Sequence, residues 1–510
     1  MANKVTFGRE SLDKILKGLD IAADAVGGTL GPKGKNVYLD DVYTPRYTND
    51  GATIADRIVL KDKLENLGAY VIRNASSQTN DDAGDGTTTT AVILQSIIHE
   101  CLKRPENPME IRKSLNHAKD EVIKLIKKYS KKIGDSDIER VALISSENEH
   151  IAKMIAEIIN KIGNKASMHV QDSTSLLTDY EIVEGYEANV GFLSPYFINN
   201  SKTNQSIHED IPVLVVERRI QNMIDIKPIF DKITEAGLGK CAVITYDIDD
   251  TMLGVVVMSK LKGVWDGVVI KAMDDVLHDF EGVSGATMIS DKTGVTFQNV
   301  ELKHLGRAKR IISDAHKTLL IGDGARGKIR AMELEKRADK EPNMYLREMQ
   351  RERAAKLRGG VALIKIGAPT DGERGYLKDK AEDAVKAVKA ALEEGIVEGG
   401  GMALWRIANE LPQKTVGEQI LKKALQSPLK KIIENGGKDY TEIVTKMTNT
   451  IQFRTRPGYD ARNDKLVELI PAGIIDPAKV ERCAVQNAIS AAGSFITQFA
   501  SIVADEEDKK

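Results

Sequence analysis

The chain has 510 residues, well beyond the ~250–300 at which a single hydrophobic core stops growing, so several domains are expected. Hydrophobic residues make up 42% and charged residues 29%, a balance that suits a globular chain and excludes an intrinsically disordered one. With 73 Lys plus Arg against 75 Asp plus Glu, the net charge of −2 carries no global signature of nucleic-acid or anionic-membrane binding.

Cys101, Cys241 and Cys483 lie far apart with no CxxC spacing. A disulfide framework or a structural zinc site is therefore not expected, and a reducing, cytoplasmic compartment is. The opening MANKVTFGRESLDK has no apolar h-region of a secretory signal. Residues 483–504 carry no charge, but they include Gln486, Asn487, Ser490, Ser494, Thr497, Gln498 and Ser501. So many polar groups point to a buried helix rather than a membrane span.

In chain order, Leu12, Ile15, Leu16, Leu19, Ala22, Ala23 and Val26 recur at helical spacing and stop at Gly27-Gly28. Leu64, Leu67, Val71 and Ala75 repeat the pattern, and a third helix, apolar nearly all round, is expected from about Thr87 to Leu102. From about Ile182 the texture changes. Short β-branched runs at 213–216, 242–245 and 268–270 alternate with helical stretches at 220–236 and 249–262, which reads as α/β. Residues 328–358 are dense in Lys, Arg and Glu and read as solvated helices. Helix returns at 379–394, with Ala381, Ala384, Val385, Val388 and Leu392 on one face, and continues towards Ala504. Helical ends flanking an α/β middle are accommodated by a discontinuous domain with the middle inserted.

Gly322-Asp323-Gly324-Ala325-Arg326-Gly327 spells GxGxxG, but the charged helical stretch after it offers no second strand for a dinucleotide fold. Two other glycine-rich turns are more informative. Thr29-Leu30-Gly31-Pro32-Lys33-Gly34-Lys35-Asn36 follows the first helix and has the glycines of an anion nest, although it is not a Walker A loop. Gly84-Asp85-Gly86-Thr87-Thr88-Thr89-Thr90 opens the third helix, where free N–H groups and threonine hydroxyls suit phosphate and Asp85 suits Mg²⁺. The same residues also read as ordinary turn formers and N-caps. Phosphoryl transfer to water further needs carboxylates to orient the attacking water, and Asp50 and Asp383 are candidates. Nothing in their spacing brings them together. The eight histidines show no HExxH, and no GxSxG elbow is present.

Taken together, these motifs resemble the chaperonins, nearly end to end. TLGPKGKN at 29–36, TNDGATI at 48–54, GDGTTTTAV at 84–92 and AALEEGIVEGGGMAL at 390–404 are similar to the family's nucleotide-site signatures in their usual order. GFLSPYFIN at 191–199 and AKLRGGVALIKIGA at 355–368 resemble the bacterial, group I, branch; GYDARNDKLVELIPAGIIDPAKV at 458–480 resembles its C-terminal nucleotide-contacting stretch. The fold implied is multidomain, α and α/β. A mostly helical equatorial ATPase domain would comprise residues 1–131 and 394–510, with a disordered charged tail from about 505. A small intermediate domain would comprise 132–183 and 362–393, and an inserted α/β apical domain 184–361.

The function implied is an ATP-dependent folding chamber. Its subunits would form a homo-oligomeric ring, commonly of seven, or two stacked rings, that takes up unfolded client polypeptides and a lid co-chaperonin. By the same resemblance Thr29, Leu30, Gly31 and Pro32 border ATP, Asp85 holds Mg²⁺, and Gly86, Thr87, Thr88 and Thr89 contact the phosphates. K⁺ is a further cation that it allows. Asp50 and Asp383 would orient the hydrolytic water, Gly400 would lie on the nucleotide, Asp476 would hold the ribose, and Asp460 and Ala461 would touch the base. Clients and lid would dock on a groove of Phe192, Tyr196, Phe197, Ile226, Phe230, Leu253, Val257 and Met258, which periodicity alone reads equally as core.

Departures from the pattern are Asn49 for a usual Lys, Lys227 on the first groove helix, and Asp460 and Arg462 for Asn and Ala. The stretch after Lys271 is shorter than usual, and a Gly-Met-rich tail is not seen. These departures motivate an alternative, a single-ring or lid-independent holdase.

Overall fold

The computed structural model describes residues 3–40, 46–164, 167–173, 175–201, 203–322, 325–450 and 457–504. The tail from 505, and Asp323 and Gly324 of the GxGxxG turn, lie outside the described residues.

The N-terminal stretch runs β1 (Asn3–Phe7), α1 (Gly8–Gly27), β2 (Val37–Leu39), β3 (Arg46–Thr48), α2 (Gly51–Arg57), α3 (Lys63–Ala83) and α4 (Thr87–Leu102). Then come α5 (Pro108–Tyr129), α6 (Asp135–Ser146) and α7 (Glu149–Ile162). The middle begins with β4 (Ser167–Asp172), β5 (Asp179–Val183), β6 (Gly185–Ala188) and β7 (Ser206–Ile220). It continues α8 (Met223–Glu235), β8 (Lys240–Ile248), α9 (Asp250–Leu261), β9 (Asp266–Lys271) and α10 (Asp274–Ser284). It ends with β10 (Gly306–Ser313), β11 (Thr318–Ile321), α11 (Ala325–Lys340), α12 (Met344–Gly359) and β12 (Val361–Ile366). The C-terminal stretch has α13 (Asp371–Glu394), β13 (Ile396–Glu398), α14 (Met402–Glu410), α15 (Val416–Ala424), α16 (Ser427–Asn435) and α17 (Tyr440–Asn449). It closes with β14 (Gly458–Asp460), β15 (Lys465–Val467), β16 (Ile475–Pro477), α18 (Ala478–Ile496) and β17 (Ala500–Ala504).

The chain divides into two compact units, residues 1–156 with 368–510 and residues 157–367. These divisions fall inside the segments 132–183 and 362–393. Within the first unit α6 packs on α13, whereas β4 and β5 flank β12 within the second.

The first unit is helical because its apolar residues recur at helical spacing and find each other across long sequence separations. Ile15, Leu19, Ala22 and Val26 of α1 and Ile93, Leu94, Ile97 and Ile98 of α4 share one core with Val485, Ala488, Ile489 and Ala492 of α18. α18 makes residues 483–496 of the uncharged stretch an interior helix, whereas 500–504 form the strand β17, with Phe499 and Ile502 exposed, and among the described residues no helix is long and apolar enough to cross a membrane. The chain ends close by antiparallel pairing of β1 with β17, from Asn3↔Ala504 to Phe7↔Ala500. β13 pairs with β16, placing Val397 opposite Asp476.

The second unit is built on a six-stranded mixed sheet of order β6-β11-β10-β7-β8-β9. β7, β8 and β9 run parallel, connected by α8 and α9, and the remaining pairs are antiparallel. β7 is far longer than its apolar run at 213–216, because its N-terminal part pairs with β10 and its C-terminal end continues along β8. After β11 the chain enters α11 and α12 rather than a second parallel strand, so the GxGxxG turn has no dinucleotide-binding context. The fully buried Asp279 ties this unit's helices together, accepting from Arg330 Nε (3.1 Å), Arg353 Nε (2.8 Å) and Tyr186 Oη (3.0 Å).

Candidate functional site

Three residues, Gly84, Asp85 and Gly86, separate the end of α3 from the start of α4. Gly84 (φ +75°) and Gly86 (φ +84°) both adopt the left-handed conformation that reverses the chain there, and a Cβ at Gly86 would lie 2.7 Å from Val480 Cγ1. No side chain caps α4, so the first-turn N–H groups of Thr87, Thr88 and Thr89 have no intrahelical acceptor and no cap. The helix start is nonetheless rigid. Thr90 Oγ1 donates to Gly86 O (2.9 Å), and buried Ser76 donates from α3 to Thr87 O (3.1 Å). A fixed, uncapped helix N-terminus opened by two glycines is a cradle for an anion.

Carboxylates from three other segments surround it. Asp50 caps α2, its Oδ2 accepting from Thr53 N (2.8 Å) and Thr53 Oγ1 (2.5 Å) and its Oδ1 from Ala52 N (3.3 Å). The next residue, Gly51, abuts α4: a Cβ there would lie 2.5 Å from Thr88 Oγ1 and 2.7 Å from Thr87 Oγ1. Asp383, on α13, has its carboxyl pushed well above the usual range, first by burial and then by the negative charges of Asp85 and Asp50. Burial also raises Asp85, reinforced by Asp50 and opposed by the Gly86 N–H and by Lys380 and Lys386. The structure therefore brings Asp50, Asp85 and Asp383 into one electrostatic neighbourhood. All three remain half-buried, open in part to solvent while packed deep among protein atoms.

Asp476 Oδ2 accepts the Gly400 N–H (2.9 Å). Burial and the Asp85 charge raise its carboxyl. Sequence reasoning missed Glu481, which is 5% exposed, shares a hydrogen bond with Asp476, and is also raised by burial and by the Asp476 charge. Its other oxygen, Oε2, is buried with no partner. An acid in the first turn of a helix looks ordinary in a sequence, so no local signal marked it.

Leu30 and Ile474 pack against a small apolar cluster that contains Ala461. Thr29 Oγ1 donates to Val26 O (2.8 Å), so that hydroxyl closes the end of α1, while Gly31 and Pro32 are exposed. Asp460 spends its carboxylate on its own turn, accepting from Arg462 N (3.0 Å), Asn463 N (3.2 Å) and Asn463 Nδ2 (2.7 Å). The Asp460 side chain is thereby satisfied locally.

Among the described residues no group of three His, Cys, Asp or Glu is arranged to ligate a metal by itself. The chemistry of the site still fits Mg²⁺. Lys380 and Lys386 offset the charges of Asp85 and Asp383 in part, and Asp85 is the carboxylate beside the anion cradle.

In the second unit the eight groove candidates separate by burial. Tyr196 (63% exposed) and Met258 (50%) face solvent, and Phe192, Phe230 and Leu253 are half-buried against the core. Phe197, Ile226 and Val257 belong to the core itself, which corrects their reading as open surface. Phe197 and Phe230 both stack edge-on against Trp265, at 6.2 and 5.7 Å, which ties the short helical turn Pro195–Phe197 and α8 to the residue that precedes β9. The exposed apolar residues on or beside these elements are instead Met223, Ile224, Val255, Leu261 and Val264. Lys227 is exposed and paired with Asp231 one turn along α8.

The crystal structure of the chaperonin gp146 from bacteriophage EL 2 (Pseudomonas aeruginosa) in the presence of ATP-BeFx superposes with a TM-score of 0.73 in crystal form II. The match covers 98% of this chain and 99% of that one at 19% identity. Crystal form I gives 0.68 at the same coverage and identity. The sequence model of the TCP-1/cpn60 chaperonin family matches residues 22–505. With the fold and nearly the whole sequence accounted for in this way, the chain belongs to the TCP-1/cpn60 chaperonin family.

Proposed function

We propose that the protein is an ATP-hydrolysing chaperonin that captures unfolded polypeptides and encloses them in a ring-shaped chamber. The observation that carries this reading is the convergence of Asp50, Asp85 and Asp383 on the uncapped start of α4. The phosphates of ATP would take the N–H and hydroxyl groups of Thr87, Thr88 and Thr89. Asp476 and Gly400 would receive the ribose, and Leu30 and Ala461 would line the base. Asp85 would hold Mg²⁺, which supplies charge neutralisation to the phosphates. Asp50 has little acceptor capacity left after capping α2, so it would orient the attacking water through Oδ1, with Asp383 accepting the proton. Turnover would time movements that expose and hide the apolar surface of residues 184–361, with 132–183 and 362–393 as the hinge segments. Crystallisation of the phage chaperonin in the presence of ATP-BeFx agrees with this chemistry.

Assembly into a ring has its own support. The β1–β17 and β2–β3 ribbons take no further strand among the described residues. They carry exposed aromatics, Phe7 stacked on Phe499 in one and Tyr38 against Tyr47 in the other. Unpaired edges of this kind suit strand addition between copies of the chain. Exposed Tyr196, Met223, Ile224 and Met258 suit client capture, and Lys227, neutralised by Asp231 on its own helix, does not set an uncompensated charge among them. A cytoplasmic location accords with this reading.

The test is steady-state ATP hydrolysis by the Asp383→Ala variant. ATP binding is retained and turnover falls on the order of 100-fold. Unaltered turnover refutes the assignment.

A further inference from the structure

Asp50, Asp85, Asp383, Asp476 and Glu481 crowd acidic groups around the cradle, and two lysines of α13, Lys380 and Lys386, act on Asp85 and Asp383. Lys380 is committed. Its ammonium donates to Glu147 at 3.0 Å, its side chain is only 12% exposed, and it lies over the Tyr376 ring. Lys386 is held differently. Its aliphatic stem lies directly across the glycine that opens the cradle, so a Cβ on Gly84 would fall 2.3–2.7 Å from Lys386 Cβ, Cγ and Cδ. Its ammonium reaches a neutral acceptor, Asn80 Oδ1, at 3.3 Å, a long and uncharged contact. It also stands three residues after Asp383, on the same face of α13.

We infer that Lys386 is the cation that binds the γ-phosphate of ATP, its stem fixed over Gly84 and its ammonium exchanging Asn80 for a phosphate oxygen. The inference rests on the nucleotide-site reading above and adds to it a residue that no motif in the sequence marks. Geometry assigns the terminal phosphate rather than an inner one. The inner phosphates would take the first-turn N–H groups of α4, whereas Lys386 shares its helix face with Asp383, the group proposed beside the attacking water and hence beside the γ-phosphorus. A point charge on a stem clamped by packing is pre-organised, so little side-chain entropy is lost when phosphate arrives.

The test compares wild type, Lys386→Met and Lys386→Arg by calorimetric titration with ATP, ADP and adenosine, each with EDTA and with Mg²⁺. Methionine keeps the aliphatic packing on Gly84 and removes the charge; arginine keeps the charge. Lys386→Met is expected to bind ATP about 10-fold or more weakly in both conditions, ADP within about 3-fold of wild type and adenosine unchanged, with an unaltered melting temperature. Lys386→Arg is expected to recover much of the ATP affinity. An unchanged ATP affinity in Lys386→Met overturns the assignment, as does a loss shared equally by ADP or adenosine. A wild-type protein that binds no ATP at all overturns the nucleotide-site reading, and this assignment with it.

Discussion

Gly51→Ala isolates the joint between Asp50 and the start of α4. Position 51 is the first residue of α2 and its φ is not positive, so alanine meets no backbone strain and gains up to ~1 kcal/mol of helix propensity. The new Cβ, however, would lie 2.5 Å from Thr88 Oγ1, 2.7 Å from Thr87 Oγ1 and 3.1 Å from Thr88 N. Rotating the two hydroxyls would relieve the first contacts only by turning aside the groups proposed to hold the phosphates, and the backbone nitrogen cannot turn away, so a cradle that keeps its hydroxyls in place must move as a whole. Opening the closest gap from 2.5 Å to an ordinary contact of 3.4 Å separates α2 from α4 by about 0.9 Å. Overpacking of this kind costs ~1–3 kcal/mol, which the propensity gain partly offsets, so net destabilisation stays within ~2 kcal/mol. The catalytic cost is larger: a misplacement near 1 Å lowers turnover by up to ~100-fold. The assay is kcat for ATP hydrolysis with a thermal melt of the same samples. Gly375→Ala is the control, since it lies on α13 with nothing within 4 Å of its Cβ, and alanine there adds ~0.5–1 kcal/mol without touching turnover. A Gly51→Ala protein with wild-type kcat refutes the reasoning that Asp50 and α4 work as one rigid assembly.

Two stability predictions follow from the buried charges. Glu481→Gln removes one member of an acid pair whose folded-state carboxyls are raised by burial and by neighbouring negative charge, that of Asp85 on Asp476 and those of Asp476 and Asp85 on Glu481. Between the ordinary carboxylate range and those raised values the native state binds more protons than the unfolded chain, so wild-type stability falls as pH rises through that window. The variant is therefore more stable by about 1–3 kcal/mol at pH 8, with the gain vanishing towards pH 4, where both states are protonated. Denaturant melts at the two pH values check this, and a gain that grows on acidification contradicts it. In the second unit, Asp279→Ala removes the fully buried carboxylate that Arg330 and Arg353 share, leaves them the partly exposed Asp275, and costs up to about 3–5 kcal/mol in the same assay. A loss below ~1 kcal/mol means that the arginines find other partners.

Much of the architecture was legible wherever periodicity was long. α1, α3, α4 and α13 follow the apolar spacing of their residues, and β8 and β9 enclose the β-branched runs at 242–245 and 268–270. Shorter or more polar elements were not. β13 and β16 have three residues each, too few for a period, yet their pairing sets Asp476 beside Gly400. At the groove, spacing identified an apolar stripe but not its inner side, because Ile226 and Phe230 differ in burial only through what the sheet and Trp265 cover. The motifs at 29–36 and 84–92 announced an anion site. The charges that complete it did not announce themselves, since Lys386 and Glu481 look like ordinary residues of solvated helix faces. Resemblance supplied Asp383 for a site whose other carboxylates lie 298 and 333 residues earlier, at Asp85 and Asp50, a separation that no local rule bridges.

That separation has a physical consequence. The cradle at 84–89 forms from neighbouring helices α3 and α4, but Asp383 and Lys386 arrive on α13 and Asp476 on β16, all from the segment after residue 368. Half of the site therefore belongs to each end of the chain, and those ends meet in one core, where α18 packs against α3 and α4, and in the β1–β17 pair. Long-range contacts of this kind form late because loop closure must precede them. The nucleotide site is thus complete only when the whole first unit has closed. A change that loosens α18 against α4 would lower ATP affinity without touching a single residue that contacts the nucleotide.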